Sequence, residues 1–302
     1  MSGTQQQYRA RSFGLLWQSD IELEHFTSAA VSDGGVDIVV RETAHLSERD
    51  PIHRINRGLV YTDGFRFEWN GIATFDVFEG NRIEYYPGPK WTGVLPWPFY
   101  STVTALLLAW QGNLPFHGCA VSVDGQGVLI CGVSGAGKSS LTAALLAEGA
   151  QFISDDLSVA VPTKDGSGWN LVQGRPGIRL FPSVGRWFFG DETTPLPNDP
   201  REKVIASPGN YPNVSPVPLR HILLLGGPEK TLSAIDRFIL LRKNLFRPNW
   251  LSKLPGTAER GSAVRDVSAS ANVSIEPVIG DTNEQALRAR TAAIIDRVLS
   301  AA

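Results

Sequence analysis

LICGVSGAGKSSLTAALLAEGAQFISDDLSV, residues 129–159, brings a glycine-rich loop, a lysine, two neighbouring serines and two neighbouring aspartates into one short span. Gly132, Val133, Ser134, Gly135, Ala136, Gly137, Lys138 and Ser139 satisfy the pattern G-x-x-x-x-G-K-[ST] in full. An apolar, strand-like run ends at Gly132, and an Ala/Leu-rich helical run, Leu141 to Leu146, follows. Between a strand and a helix, the glycines let backbone N–H groups turn inward onto phosphate oxygens. The helix N-terminus adds positive partial charge at the same point. This chemistry assigns Lys138 to the β and γ phosphates of a nucleotide and the Ser139 hydroxyl to Mg²⁺. Ser140 adds polarity at the start of the helix.

Gly149 stops that helix, and AQFIS, residues 150–154, reads as the next strand. If the two strands are parallel, the end of the second lies near the end of the first, and Asp155 and Asp156 face the phosphates. One carboxylate there is the ordinary second anchor for Mg²⁺. Two adjacent ones point to divided labour, one supporting metal and the other accepting the proton of an attacking hydroxyl. The bland alternative is that one of them caps the turn that follows. His117 starts the strand ahead of the loop, where it is either at the edge of the site or a satisfied core residue.

Working outward, residues 1–95 read as a β-rich region. GVDIVVRE and RFEWNGIATFDVFEGNRIEYY are alternating, β-branched and aromatic, with a turn at Glu79-Gly80-Asn81. The Pro/Gly/Trp-rich connector of residues 87–98 leads to a helix capped by Ser101, with Val103, Leu106, Leu107 and Trp110 on one face and Gly112 at its end. Asp124-Gly125-Gln126-Gly127 between two apolar runs predicts a hairpin immediately ahead of the loop. Residues 160–235 read as loop-rich with short strands, among them HILLLGG at 221–227. A helix is expected over 236–246, with Phe238, Leu241 and Leu245 in register. The last helix starts near Asp281 or Thr282, with Gln285 in capping-box spacing, and buries Leu287, Thr291, Ile294 and Val298.

Composition excludes several classes. A net charge of −2 over 302 residues leaves no basic footprint for nucleic acid. The two cysteines, Cys119 and Cys131, are too few for a disulfide framework and read as core thiols. The N-terminus lacks the apolar core of a signal peptide, and no apolar run is long enough to span a membrane. A cytoplasmic protein is expected, in which the sequons at Asn213 and Asn272 are chance matches.

From His117 to Asp156 the chain resembles the catalytic domain of the HPr kinase/phosphorylases, bacterial enzymes that phosphorylate a serine of a small carrier protein. The histidine-glycine pair, hairpin, phosphate loop, helix and paired aspartates follow in that family's order. A hairpin directly ahead of the loop is also the arrangement of its structural relatives, the PEP carboxykinases. The resemblance implies an α/β fold with a mixed sheet: a P-loop kinase domain of this type over residues 96–302, behind the β-rich region. It implies ATP at residues 132–140, Mg²⁺ at Ser139 and the aspartate pair, and an active-site role for His117 in orienting or polarising an aspartate. Which aspartate is base and which supports metal stays open. Arg179 aligns with the arginine of the family's EIRG-like stretch and is implied in a contact with phosphate or acceptor. Gly177 stands where that stretch carries a metal-binding glutamate, and the later loop tied to phosphorolysis is not evident.

The whole-chain layout is similar to a divergent branch of HPr kinase-like proteins, through RLFP at 179–182 and LLR…FRP at 240–248. Lasso-peptide precursor kinases of that branch phosphorylate a C-terminal serine. Arg201 and Lys203 either bind phosphate or peptide carboxylate, or form a solvated cluster. The expectation is an ATP- and Mg²⁺-dependent serine kinase acting on a peptide or small protein, with no nucleic-acid or membrane partner; a homo-oligomer is compatible with the resemblance. Its rivals are a small-molecule kinase and a nucleotide-gated binding protein with slow hydrolysis.

Overall fold

The computed structural model describes residues 6–30, 34–196, 201–207, 216–227, 230–278 and 283–300. Packing divides the chain into two compact units, Met1–Pro115 with Phe246–Gly261, and Phe116–Leu245 with Ser262–Ala302. Residues 96–115 and 246–261, grouped with the later part in the sequence reading, lie in the first unit.

Among the described residues, nine strands build the sheet of the first unit: β1 (Tyr8–Ser12), β2 (Leu15–Ser19), β3 (Thr27–Ser28), β4 (Ile38–Glu42), β5 (His53–Ile55), β6 (Gly58–Tyr61), β7 (Gly64–Trp69), β8 (Ala73–Phe78) and β9 (Arg82–Pro87). Their spatial order is β3-β1-β2-β4-β9-β8-β7-β6-β5, parallel only at β2/β4 and β4/β9. Alternation explains the buried face: Phe65 and Phe67 point inward from β7 while Glu68 between β7's Phe67 and Trp69 is exposed. Glu79 and Gly80 both take positive φ, 50° and 73°, as the expected turn requires. Asp76 is fully buried on β8, and its oxygens accept from Arg66 Nε (2.8 Å), Arg49 Nη2 (2.7 Å) and Ser47 Oγ (3.0 Å). A buried charge with its acceptors occupied in this way is a structural ion cluster. Helix α1 (Thr104–Trp110) continues a π-helical turn, Phe99–Val103. Ser101 lies inside this stretch and donates to the Trp97 carbonyl instead of capping it. Every residue from Phe99 to Ala109 is buried, so the one-sided helix read from spacing is covered all round. Gly112 (φ 88°) ends it as expected: Asn113 N–H donates to the Leu108 carbonyl and Gly112 N–H to that of Ala109.

The second unit starts on the hairpin β10 (Leu114–Val123) and β11 (Gln126–Gly132), turned at Asp124 and Gly125 with φ 48° and 76°. The phosphate-loop segment leads into α2 (Lys138–Ala147), which Gly149 (φ 96°) closes. β12 (Gln151–Ser154) pairs antiparallel with β10. It therefore runs in the same direction as β11, but β10 lies between the two. The segment read as loop-rich carries β13 (Leu157–Pro162), β14 (Trp169–Val172), β15 (Ile178–Leu180), α3 (Pro182–Phe189), β16 (Thr193–Pro195), β17 (Val204–Ala206) and β18 (Val217–Leu225). β15, β17 and β16 form a small antiparallel sheet. Helix α4 (Ala234–Lys243) begins behind a capping box of Ser233 and Asp236, and Leu245 lies beyond its end, bridged to Phe116. The chain then passes through α5 (Pro248–Leu251) and α6 (Thr257–Ser270) to β19 (Asn272–Glu276) and α7 (Glu284–Ser300).

Among the described residues the main sheet of this unit has seven strands, and it is mixed: β18 is parallel to β11 and β19 but antiparallel to β14. Two apolar clusters hold α2. Leu141, Ala144 and Leu145 pack with Cys119, Ile130, Leu223 and α7, while Ala143 packs with Phe152, Ile178 and Leu180. The α7 residues in the core are Leu287, Thr291, Ile294 and Val298, the face read from spacing. Asp281 and Thr282, like Asn213, lie outside the described residues; Asn283 Oδ1 accepts from the Ala286 N–H at the start of α7. Both cysteines are buried and free. No helix among the described residues is long and apolar enough to cross a membrane.

The segment 246–261 is joined to the first unit by one aromatic and one cation. Trp250 packs against Phe65 and Phe67, where Gly58 leaves room: a Cβ there would lie 2.4 Å from the Trp250 ring. Arg260 is buried and donates to the carbonyls of Leu251 (2.9 Å), Leu254 (2.8 Å) and Ala109 (3.3 Å). The Ala109 carbonyl also accepts from the Gly112 N–H and that of Leu254 from Thr257 Oγ1, so Arg260 adds one charged donor shared by three helix-end acceptors. Arg260→Met is expected to lower stability by roughly 2–3 kcal/mol, since it removes a buried donor whose hydrogen bonds are charge-assisted. Thermal unfolding followed by circular dichroism measures the loss; an unchanged midpoint contradicts this account.

Candidate active site

The phosphate-loop backbone is built by glycines that no other residue replaces without strain. At Gly132 (φ 150°) a Cβ would lie 2.5 Å from the Leu225 carbonyl oxygen, so β11 and β18 meet flush at the start of the loop. Gly135 (φ 86°) and Gly137 (φ 94°) turn the chain left-handed into α2. Val133 is 70% exposed, Ser134 and Gly135 are exposed, and Ala136 is buried beneath them. Lys138 is buried, with Nζ donating to the carbonyls of Gly132 (2.8 Å) and Val133 (3.1 Å). Its ammonium is therefore held over the loop, where the N-terminus of α2 also concentrates positive charge. Ser140 sits half-buried in the first turn.

Ser139, next in α2, donates its hydroxyl to Asp155 Oδ1 at 2.9 Å. Asp155 is only 6% exposed. The same oxygen accepts from the Cys119 thiol at 3.0 Å, and Oδ2 accepts from the Arg179 backbone N–H at 3.0 Å. Burial, then the neighbouring Asp155 charge, push the Cys119 thiol well above its ordinary pKa, so it stays a donor.

Asp156 faces elsewhere. Its φ is +70°, and the Leu157 N–H donates to the Asp155 carbonyl at 2.9 Å, closing a three-residue turn around it. One Asp156 oxygen lies 3.5 Å from His117 Nδ1 and the other 3.8 Å from Arg175 Nη2. Burial lowers the His117 pKa below 6.5; Asp156 opposes this without reversing it. The imidazole is thus neutral at pH 7. Behind the pair, Ser158 Oγ donates to the Gly118 carbonyl (3.0 Å) and meets Ser154 Oγ at 2.7 Å, tying the ends of β10, β12 and β13 together.

The structure thus brings together His117, Lys138, Ser139, Asp155 and Asp156. Arg179 reaches Asp155 through its main chain. Arg201 Nη1 donates to Ser134 Oγ at 3.3 Å, on the loop, while Lys203 Nζ lies 5.3 Å from the Phe181 ring centroid. At Gly177 (φ 86°) a Cβ would lie 2.7 Å from Ile205 Cδ1, so a glutamate there is strained by its left-handed backbone and must push the Ile205 side chain aside. Two neighbours of the aspartates were not singled out from sequence. Cys119 had a signal, since it follows His117 by two on one strand and shares its face. Arg175, in the irregular run Gly174-Arg175-Pro176-Gly177, had none.

Among the described residues no group of three or more His, Cys, Asp or Glu side chains is arranged to hold a metal. A cation of the Mg²⁺ kind does not need one, because it binds through one or two protein oxygens and the phosphates of its nucleotide. Ser139 and Asp155, two oxygen donors 2.9 Å apart beside the loop, fit that requirement.

Residues 111–171 match the family model described as the HPr Serine kinase C-terminal domain. The matched span holds His117, Cys119, the loop and both aspartates, and stops before Arg175. No curated protein matches the chain. Among solved structures it is similar to the HPr(Ser) kinase/phosphatase from Coxiella burnetii, at 16% identity over 62% of this chain and 91% of that one, with a TM-score of 0.32. Residues 111–171 are thus similar to an HPr kinase C-terminal domain, and the unit that carries them has a mixed α/β fold.

Two outcomes follow from the geometry. Gly177→Glu is expected to destabilise the protein by about 1–3 kcal/mol without improving metal affinity, because the left-handed φ strains any side chain there and Ile205 has to be displaced. Chemical denaturation and a Mg²⁺ titration check both halves. His117 contributes a pH dependence of known sign. Its folded pKa is below its unfolded one, so the unfolded chain binds the proton first. Stability falls as pH drops below 6.5, and His117→Gln removes that part of the slope; equal slopes in the two proteins would contradict a lowered His117 pKa.

Proposed function

We propose that this chain, HPr kinase-like over residues 111–171, is an ATP- and Mg²⁺-dependent serine kinase whose acceptor is a peptide or small protein. The observation that carries the reading is the division between Asp155, locked onto Ser139, and Asp156, turned toward His117. The loop 132–140 holds the nucleotide phosphates, with Lys138 exchanging its loop carbonyls for phosphate oxygens. Ser139 and Asp155 hold the cation. Bound there, the nucleotide supplies the phosphoryl group and the cation neutralises its charge.

Asp156, 27% exposed, takes the proton from the acceptor hydroxyl. Neutral His117, with Nδ1 3.5 Å from Asp156 Oδ1, packs against that carboxylate and limits where it can turn. Buried Arg175 keeps its guanidinium 3.8 Å from the other oxygen. Asp155, held by three donors on its two oxygens and bonded to Ser139, takes the cation-supporting role. Arg201, bonded to the loop at Ser134, is suited to an anionic group of nucleotide or acceptor.

The acceptor that the RLFP and LLR…FRP stretches favour is the C-terminal serine of a peptide precursor of the lasso type, modified in the cytoplasm. Incubation with γ-labelled ATP and three acceptors tests this: a peptide ending in serine, the same peptide extended by several residues so that the serine is internal, and a panel of sugars and hydroxy acids. Label is expected on the first only. Label on a small molecule, or phosphate released equally without acceptor, overturns the reading. Asp156→Asn is expected to cut transfer by about a hundredfold to ten-thousandfold with nucleotide affinity retained. Asp155→Asn instead weakens the Mg²⁺-dependent part of nucleotide binding, measured by calorimetry with and without the cation.

A further inference from the structure

We propose that Cys119 is a positioning residue, whose thiol fixes the Asp155 carboxylate in the plane from which it meets Ser139. Strand β10 addresses the two aspartates in turn: His117 lies against Asp156 and Cys119, two residues on, against Asp155. Cys119 is 1% exposed and lies 3.0 Å from Asp155 Oδ1 and 3.9 Å from Ser139 Oγ.

A carboxylate is fully oriented only when both oxygens have anchored donors. The Arg179 amide supplies one for Oδ2, set by the pairing of Arg179 with Ile205 in the β15/β17 ladder. For Oδ1 there are two donors. The Ser139 hydroxyl turns on a single Cβ–Oγ bond, and its oxygen is the atom offered to a cation. The Cys119 thiol is anchored on a strand whose neighbour is paired at Ile130. Gly118 lets that strand approach: a Cβ there would lie 2.7 Å from the Ile130 carbonyl oxygen. Cys119 therefore holds Oδ1 from the strand side and leaves the helix side to Ser139.

The bland account is packing. Cys119 also touches the cluster of Val121, Ile130 and Leu141. The two accounts separate on a hydrogen-bond readout. The consequence for cation binding rests on the proposed role of Asp155; the thiol contact itself does not.

The test uses the full chain. Raman spectroscopy reads two S–H stretching bands, because Cys119 and Cys131 are the only cysteines. One band is expected broadened and lowered in frequency, lost in C119S, and moved upward in D155N, while the Cys131 band stays. Mg²⁺ titration of ATP binding gives the second readout. C119A raises the half-saturating Mg²⁺ concentration on the order of tenfold, the effect of one hydrogen bond to a charged group. C119S, which restores a donor, recovers most of that shift, and C131A has none. An S–H band indifferent to D155N, or equal shifts in C119A and C119S, overturns the role of Cys119 alone. Nucleotide binding by the unaltered protein that ignores Mg²⁺ overturns the proposed role of Asp155, and the positioning role with it.

Discussion

Asp155 and Asp156 are joined by one peptide unit, and the left-handed backbone at Asp156 decides what each can touch. In an extended strand, neighbours alternate between faces, and one of two carboxylates turns away from the loop. Here the turn closed by the Leu157 N–H keeps both at the end of β12, with Asp155 against the start of α2 and Asp156 against the start of β10. A non-glycine residue at positive φ costs on the order of 1 kcal/mol or more, and aspartate is among the side chains that tolerate it. The hydrogen bonds of Asp155 and the charges facing Asp156 offset that strain.

The surrounding elements hold this turn rigid. Ser154 and Ser158, on either side of the aspartates, connect to each other and to Gly118, so the strand carrying His117 and Cys119 is fixed relative to the strand ends carrying the carboxylates. Helix α2 is covered on two faces by separate apolar clusters, which leaves its N-terminal turn little freedom. The site is thus held by packed elements, while the rim of the loop at Val133 and Ser134 stays exposed.

Past the span that resembles the HPr kinase domain, the backbone itself shapes the site. Gly177 takes a left-handed φ against the Ile205 side chain, at the start of the β15/β17 pairing. That pairing aims the Arg179 amide at Asp155. Two neutral donors, the Arg179 main-chain amide and the Cys119 thiol, thus meet the Asp155 carboxylate from different segments of the chain.

Features written in local sequence were legible. The phosphate loop, the Asp124-Gly125 hairpin, the Gly112 and Gly149 helix ends and the buried face of α7 each depend on residues within about a turn of one another, where backbone sterics and periodicity decide the outcome. Arg175, Cys119 as a donor, the insertion of β10 between β11 and β12, and the return of residues 246–261 to the first unit depend on contacts between distant segments. Spacing carries no record of those contacts, because a hydrogen bond across strands leaves no period in either partner. By itself the sequence determined which polar and charged groups the chain carries around its glycine-rich loop. Only the tertiary structure decided which carboxylate would face the loop serine and which the histidine, because that choice is made by one backbone dihedral and by the strand packed beside it.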